Sequence, residues 1–463
     1  MFNKLRKSRF ARDAATLQVA AGVTSMGNLA STMALAFLLG ARLQGTFYLA
    51  MALYSLFYLL GNVGLSTVTV SHVAKAIGAD DRGGVIAWLG FLLKASSLLS
   101  LVMLGLAFLI LPPVAHYFYE DPRVGEWAIA LCFLPLLEIP RVVCAAALQG
   151  TRRMKDLAQL ENSVEATRVL LIVSLILITG RAEGAIWGTL AAGLAASILA
   201  LILYRRARRD ESTEADRKSL LPSLKEIVQG TRALPLREGL PQGIQVGFMR
   251  NVDALVLDVA PTLIMGYFAG PASAAYFRIA QRFLRLPLML LQGISRTAVP
   301  AFSNLIGQRD LVVFRQAFYR ATLFGGGMIA LGLLVAVPLV PFVTRTFFPH
   351  DYWDDVPFYT YILAAGFAVT GFSGALESFY IATDRVGVAL RIGFGLGFPC
   401  IVLMFVGGLL FGSLGVAVGM SLTMMVGLCH HAYIAWYFRR NLKPGGGSSE
   451  DAASVAPQPE VAS

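Results

Sequence analysis

Twelve stretches of this chain are each long and apolar enough to cross a lipid bilayer, and that leaves few folds open. They fall at 14–39, 45–70, 85–111, 124–148, 157–178, 182–204, 239–268, 272–302, 318–342, 356–382, 388–410 and 414–438. A helical span needs about 20 largely apolar residues. Inside hydrocarbon every backbone polar group must be bonded within the protein, so only helices and closed barrels cross. These runs are long and lack alternation of period 2, which predicts helices. Composition agrees: 56% of residues are hydrophobic and 14% charged, against about 25% charged in a soluble domain. The predicted fold class is all-α and polytopic, with about twelve transmembrane helices.

The formal charge of +11 does not point to nucleic acid, because most of it lies in short loops between apolar runs. Lys and Arg concentrate in cytoplasmic loops. With the N-terminus (Lys4, Arg6, Lys7, Arg9, Arg12) placed in the cytoplasm, every second loop is basic. These hold Lys75 and Arg82, then Arg152, Arg153 and Lys155, then Arg205 to Arg237, Arg309 and Arg315, Arg385, and Arg439, Arg440 and Lys443. The opposite loops hold only Arg42, Arg123, Arg181 and Arg345, with the acids Glu120, Asp121, Glu126, Asp351, Asp354 and Asp355. A cytoplasmic (inner) membrane protein with both termini inside is expected. The basic start before an apolar run is read as leading into a retained first span, since the run is too long for a signal peptide.

The longest loop divides the spans six and six. The expected organisation is a cytoplasmic N-terminus at 1–13, an N-lobe at 14–204, a linker at 205–237, a C-lobe at 238–438 and a disordered cytoplasmic tail at 439–463. The linker turns from charged to amphipathic, which suits a short helix lying on an anionic leaflet. A weak internal repeat relates LLGARLQGTFYLAMALYSLFYLLGNVGLS to YFAGPASAAYFRIAQRFLRLPLMLLQGISR, placing Gly40 on Gly270 and Phe47 on Phe277. Six spans is an even number, so both halves enter from one side. Two pseudo-symmetric six-helix lobes around a central cavity follow.

One span carries charge it should not tolerate. Arg278, Arg282 and Arg285 stand at i, i+4 and i+7 in 272–302, one stripe of a helix. An arginine at mid-bilayer costs about 3 kcal/mol on insertion scales. The stripe must face a water-filled cavity or partners inside the bundle. Gln292 and Arg296 continue it, although Pro287 intervenes and Arg296 lies near the span end. In the preceding span Arg250 is a further cation, and Asp253 and Asp258 are intramembrane acids. The repeat sets Tyr48, Ser55 and Asn62 opposite the stripe. A basic wall facing a polar, aromatic wall suits a ligand with an anionic part and a hydroxylated part. Internal pairing with Asp253, Asp258, Glu161 or Glu165 is the structural alternative. Glu161, Glu165 and Arg168, and Glu138 with Arg141, read as self-paired seams. The four cysteines lack metal-ligand spacing, so neither a metal nor a disulfide framework is expected. No nucleophile with its base and no nucleotide loop is present in the sequence, so no cofactor and no enzyme are expected.

The segments LGARLQGTFYLAMALYSL, GNVGLSTVTVSHVAKAI, ALQGTRRMKDLAQLE, GYFAGPASAAYFRIAQRFLRLPLMLL, SRTAVPAFSNL and ESFYIATDRVGVALR, in this order and spacing, carry a family likeness. Over about residues 15–438 the chain resembles the Wzx-type polysaccharide and oligosaccharide flippases. These belong to the multidrug/oligosaccharidyl-lipid/polysaccharide exporter superfamily. The resemblance implies a fold related to the multidrug-and-toxin-extrusion proteins. Spans 1, 2, 7 and 8 would line the cavity, and access would alternate. It implies a polyprenyl-pyrophosphate-linked oligosaccharide as substrate, flipped to the outer leaflet for O-antigen, capsule or exopolysaccharide biosynthesis. A polysaccharide polymerase or glycosyltransferase would then be a neighbour, with the coupling ion left open. Family members often carry an acid just before the GYFLG-like stretch of span 7. Here Pro261 stands near that place, so the acid's role is not carried to Asp253 or Asp258. A cation or drug antiporter of the superfamily is the alternative. Against it, the first span has no acid between Asp13 and Leu39. A membrane-embedded glycan polymerase would want a long outward loop, and the longest of these, 343–355, has 13 residues.

Overall fold

The computed structural model describes residues 9–61, 64–119, 121–151, 153–214, 221–288, 310–383 and 385–442, with isolated positions at 298, 302, 305, 306 and 308. The described residues are almost entirely helical. In chain order they form α1 (Arg9–Gly61), α2 (Leu65–Gly78), α3 (Arg82–Phe118), α4 (Arg123–Leu131), α5 (Leu134–Gly150), α6 (Met154–Thr179), α7 (Glu183–Glu214) and α8 (Leu224–Gly230). Then come α9 (Leu236–Ala254), a π turn (Leu255–Val259), α10 (Ala260–Leu288), α11 (Leu311–Phe347) and a short turn (His350–Tyr352). The chain ends in α12 (Asp355–Gly371), a second short turn (Phe372–Ala375), α13 (Leu376–Ala382), α14 (Val386–Met424) and α15 (Gly427–Asn441).

Nine helical stretches among the described residues are long and apolar enough to span. Three of them are folded back on themselves, which brings the number of crossing segments to twelve. The folds are at Gly40 (φ 69°, ψ 171°), Gly270 (φ 80°, ψ 175°) and Gly412 (φ 58°, ψ −137°). Such angles are essentially confined to glycine. A hydrogen bond proves the first reversal. The Gln44 amide donates to the Thr32 carbonyl at 3.0 Å, yet twelve residues of straight helix would part them by about 18 Å. Gly40 and Gly270, aligned by the internal repeat, therefore hold the same backbone break. Loops were expected around both positions; a single residue makes each turn.

Packing divides the molecule by depth. At the end holding Gly40 and Gly270, called here the hairpin end, one hydrophobic core joins both halves, from Leu35 and Leu53 to Met265, Phe277 and Phe367. Toward the other end, where the linker lies, there are two cores. One belongs to the first half, around Phe91, Val143 and Tyr204, and one to the second, around Phe314, Phe318 and Phe379. The halves meet along α1 and α10. A methyl group at Gly45 would lie 1.7 Å from the Pro271 carbonyl oxygen, so backbone touches backbone there. Above this contact the Tyr352 hydroxyl donates to Gln44 Oε1 at 2.8 Å, and the Tyr119 hydroxyl to the Leu263 carbonyl at 3.1 Å. Each bond crosses from one half to the other. These bonds close the hairpin end; toward the linker end the halves keep separate cores, but α9 of the second half packs on the first, where a methyl at Gly64 would lie 2.6 Å from the Gly247 nitrogen and His72 is bonded to Gln242 at 3.1 Å.

The linker departs from expectation. α7 continues to Glu214, inside it. α8 starts from a capping box, in which Ser223 accepts from the Glu226 N–H and Glu226 from the Ser223 N–H. Rather than lying free on a leaflet, this segment buries Leu221 and Ile227 in the first half's core, while Arg82 binds Glu226 at 2.9 Å. Its aliphatic side chains gain more from that groove than from partial contact with lipid headgroups. α15 runs to Asn441, three residues into the expected tail. The tail beyond Leu442 lies outside the described residues.

Candidate functional site

The fold-back at Gly270 sets the site. It lays the two arms of the hairpin side by side, so that residues far apart in sequence share one depth. Asp258 lies twelve residues before Gly270 and Arg282 twelve after it, each about 18 Å from the turn. With a hydrocarbon core about 30 Å thick, both sit near mid-membrane. The π turn at Leu255–Val259 holds Asp258. One extra residue in a turn rotates the following side chains, a device common at functional sites.

Asp258 receives two of the three stripe arginines. Arg278 Nη1 donates to Oδ1 at 2.6 Å. Arg285 grips both oxygens, Nη2 to Oδ1 at 2.5 Å and Nη1 to Oδ2 at 2.9 Å. A forked guanidinium suits a planar carboxylate in this way. Arg282, between them on the stripe, meets no acid among the described residues. It donates to the Asn28 carbonyl at 2.8 Å and to the Thr32 hydroxyl. Its guanidinium also stands 5.4 Å from the centre of the Tyr48 ring, a cation–π contact. All of these partners lie on α1, in the other half. Asn28 is fixed in turn by Arg168, which donates to its Oδ1 at 2.6 Å and is bound bidentately to Glu165.

Around these groups lie two adjoining cavities. The larger, about 520 Å³, lies on the linker side of the seal and is lined by Ser25, Asn28, Arg278, Gln281, Arg282 and Arg285, with apolar Leu257 and Phe367. The smaller, about 200 Å³, shares Arg278 and Arg282 and adds Asp258, Tyr48, Ser55 and Arg168. Among the described residues three arginines against one aspartate leave two positive charges in surplus, since Arg168 is neutralised by Glu165. An arrangement of this kind has the charge to hold a doubly charged anion, with the forked donors of Arg282 free of any acid among the described residues.

Of the residues singled out in the sequence, Arg278, Arg282, Arg285, Asp258, Tyr48 and Ser55 come together here. Asn62, Gln292, Arg296 and the side chains of Arg250 and Asp253 lie outside the described residues. The structural alternative is realised for Arg278 and Arg285, which pair with Asp258, and it leaves Arg282 over. The sequence reading missed Ser25, Asn28 and Thr32. They stand at i, i+3 and i+7 on the first span, a polar stripe in an apolar run. That signal is present in the sequence, but the internal repeat aligns the second span, not the first, with the arginine stripe. Gln281 was missed too; its amide bridges Arg278 and the Met420 sulfur at 3.2 and 3.1 Å.

The family model described as "Polysaccharide biosynthesis protein" matches residues 10–306, more than half of the chain. The chain belongs to that family. No curated protein matches it significantly. Among solved structures, an inward-facing multidrug resistance MATE family transporter of the MOP superfamily is similar at 16% identity and TM-score 0.72, covering 90% of this chain and 94% of that one. An outward-facing MATE family transporter is similar at 16% identity and TM-score 0.62, covering 93% and 95%. A MOP superfamily transporter from Pyrococcus furiosus, described as having a binding pocket of reverse polarity suggesting a different function, is similar at 16% and 0.63, covering 94% and 96%. At this identity the likeness fixes the fold. Family and fold together make the chain a multi-pass membrane transporter.

Proposed function

We propose that the protein flips a polyprenyl-pyrophosphate-linked oligosaccharide between leaflets, using the arginine cavity to hold the pyrophosphate. The observation that carries this reading is the charge surplus. A pyrophosphate diester brings two negative charges, and the described site has two positive charges in excess at mid-membrane depth. The lysine and arginine bias sets the linker end in the cytoplasm, with both termini inside an inner membrane. The headgroup then enters from the cytoplasmic leaflet, and Arg282 meets it as the cation without an acid. The lobes at 14–204 and 238–438 rock about the α1–α10 seam and open the hairpin end. Two negative charges moved outward gain about 4.6 kcal/mol per 100 mV of inside-negative potential, twice the single-charge figure. An antiporter for cationic drugs needs the opposite polarity, and a surplus of arginine at mid-membrane repels such a substrate.

The test is a flipping assay in proteoliposomes with a pyrophosphate-linked glycan. Arg282→Ala should abolish transport in protein that still inserts and melts normally. Wild-type transport by Arg282→Ala would sink the assignment.

A further inference from the structure

A third cavity of about 270 Å³ lies inside the first half, between α1, α2, α3 and α5. Its chemistry differs from the arginine site. The only charged side chains lining it, among the described residues, are Glu138 and Arg141, bound to each other at 2.6 Å. Its net charge is therefore zero. The rest of its polar lining is Ser66, Ser96, Ser100, Gln149 and the tyrosine hydroxyls of Tyr54 and Tyr58. Ser96, Ser100 and Gln149 make no side-chain hydrogen bond with the rest of the described chain. Serines in a helix commonly return their hydroxyl to the carbonyl four residues back, as Ser97 does to Leu93 beside them. Ser96 and Ser100 keep theirs for the cavity. Polar groups without partners in a membrane protein mark a place where water or a ligand supplies the bonds.

The three cavities are in series. Arg278 and Arg282 line both the first and the second, and Tyr58 lines both the second and the third. From Tyr48, under Arg282, to Tyr58 is ten residues of helix, about 15 Å. A ligand anchored by its anion at Arg282 thus meets, along α1, an uncharged chamber rich in hydroxyls and amide and walled by aromatic rings. The rings of Tyr54 and Tyr58 stand 5.9 Å apart there. Gln149 is exposed at the chamber's far end.

We infer that this chamber is a glycan subsite, which takes a neutral, polyhydroxylated sugar carried beyond an anionic head held at Arg282. The inference rests on the function proposed above. A carboxylate and a guanidinium side by side offer acceptors and donors together, as a ring with adjacent hydroxyls requires. Tyrosine faces cover the apolar faces of such a ring. A lipid tail would leave Ser96, Ser100 and Gln149 unsatisfied, and an ion would find no net charge. The volume lies just under the range of about 300–1,000 Å³ usual for small-molecule sites, so the chamber selects a terminal unit and not a whole oligosaccharide.

Two probes test this on the full-length protein in lipid nanodiscs by titration calorimetry. One is a short-chain polyprenyl pyrophosphate carrying a trisaccharide. The other is the same lipid closed as a methyl diester, equal in charge but without sugar. The wild type should bind the first at least tenfold more tightly. Ser100→Leu, which fills the chamber, should cut that preference below twofold while leaving affinity for the methyl diester within twofold. Gln149→Leu, on an exposed position that tolerates substitution, should reduce it in the same direction. Equal binding of both probes by the wild type, or an undiminished preference in both variants, overturns the subsite and leaves a water-filled chamber only. Arg282→Ala separates the two readings. Loss of both probes in that variant upholds the anion site whatever the chamber variants do, and undiminished binding of both overturns the function on which the subsite rests.

Discussion

The two halves of the molecule handle buried charge in different ways. In the first half each mid-membrane arginine has an acid of its own three residues earlier on the same helix: Glu138 for Arg141 and Glu165 for Arg168, both at 2.6 Å. In the second half one aspartate on another arm serves both Arg278 and Arg285, and Arg282 turns to hydroxyl, carbonyl and ring. A local pair forms as soon as the helix forms and carries no net charge, so it is a structural solution. A shared acid in a folded-back hairpin forms only when the arms close, and it leaves charge over for a ligand. The difference teaches that the placement of the acids, more than the number of arginines, separates a seam from a site.

The largest effect should come from breaking the shared acid. Asp258→Asn leaves two arginines facing each other, and we expect a loss of about 3 kcal/mol, the lower end for orphaning a buried charge because 29% of the side chain is open to the cavity. Glu165→Gln orphans one arginine and should cost less. Thermal melting in detergent compares them, and an equal loss would erase the distinction between the halves.

Arg282→Ala is expected to lower transport at least about a hundredfold, worth about 2.7 kcal/mol, with stability changed by less than about 1 kcal/mol because no acid is orphaned. Arg168→Ala, which strands Glu165, should do the reverse, melting early while keeping more transport than its loss of fold explains. Arg282→Lys retains charge but loses the fork and should fall between. Transport and melting measured on the same preparations would break the comparison if both variants moved together.

Gly45→Ala tests the seam on which the halves turn. Its methyl would strike the Pro271 carbonyl, and forcing the backbones apart should cost about 2 kcal/mol. Faster hydrogen exchange should then appear around Gln44 and Tyr352 and not in the cores near the linker. Unchanged exchange at both ends would mean that the seal does not depend on this approach.

The smallest effect concerns the linker. The Ser223 N–H, then its hydroxyl and Arg82, hold the Glu226 carboxyl below its ordinary range against partial burial. A group whose folded value is depressed stabilises above its unfolded pKa, about 4.3 for glutamate. That stability is lost as pH falls through the lowered folded value. Exchange protection of Leu224–Gly230 should hold at pH 6 and weaken on acidification below pH 4, by less than about 1 kcal/mol for so exposed a pair. A Glu226→Gln variant should remove this pH dependence, and persistence of the dependence would assign it elsewhere.

Much of this was legible in the sequence because a bilayer enforces it. Apolar length fixed the spans, and charge on one stripe fixed the suspicion about Arg278, Arg282 and Arg285. The repeat aligned Gly40 with Gly270, although nothing local said that each would be a whole turn. What escaped has a physical reason in each case. The π turn at Leu255–Val259 has no period of its own, so the aim of Asp258 could not be read. Asn28 and Thr32 matter through a carbonyl and a hydroxyl that depend on the fold-back. Arg282 was indistinguishable from its neighbours on the stripe until three dimensions gave the acid to them and not to it.

The glycine breaks carry one more consequence. A loop of several residues between two spans stores slack and lets one arm slide past the other. A turn of one residue stores none. Each of the hairpins at Gly40 and Gly270 is in effect a caliper of fixed arm length, with its pivot at the sealed end. Depth along one arm is then tied to depth along the other, so Asp258 and Arg282 stay level however the arms tilt. If the lobes rock as proposed, the side of the membrane that these charges face would change, but their height would stay set by a count of residues from a glycine.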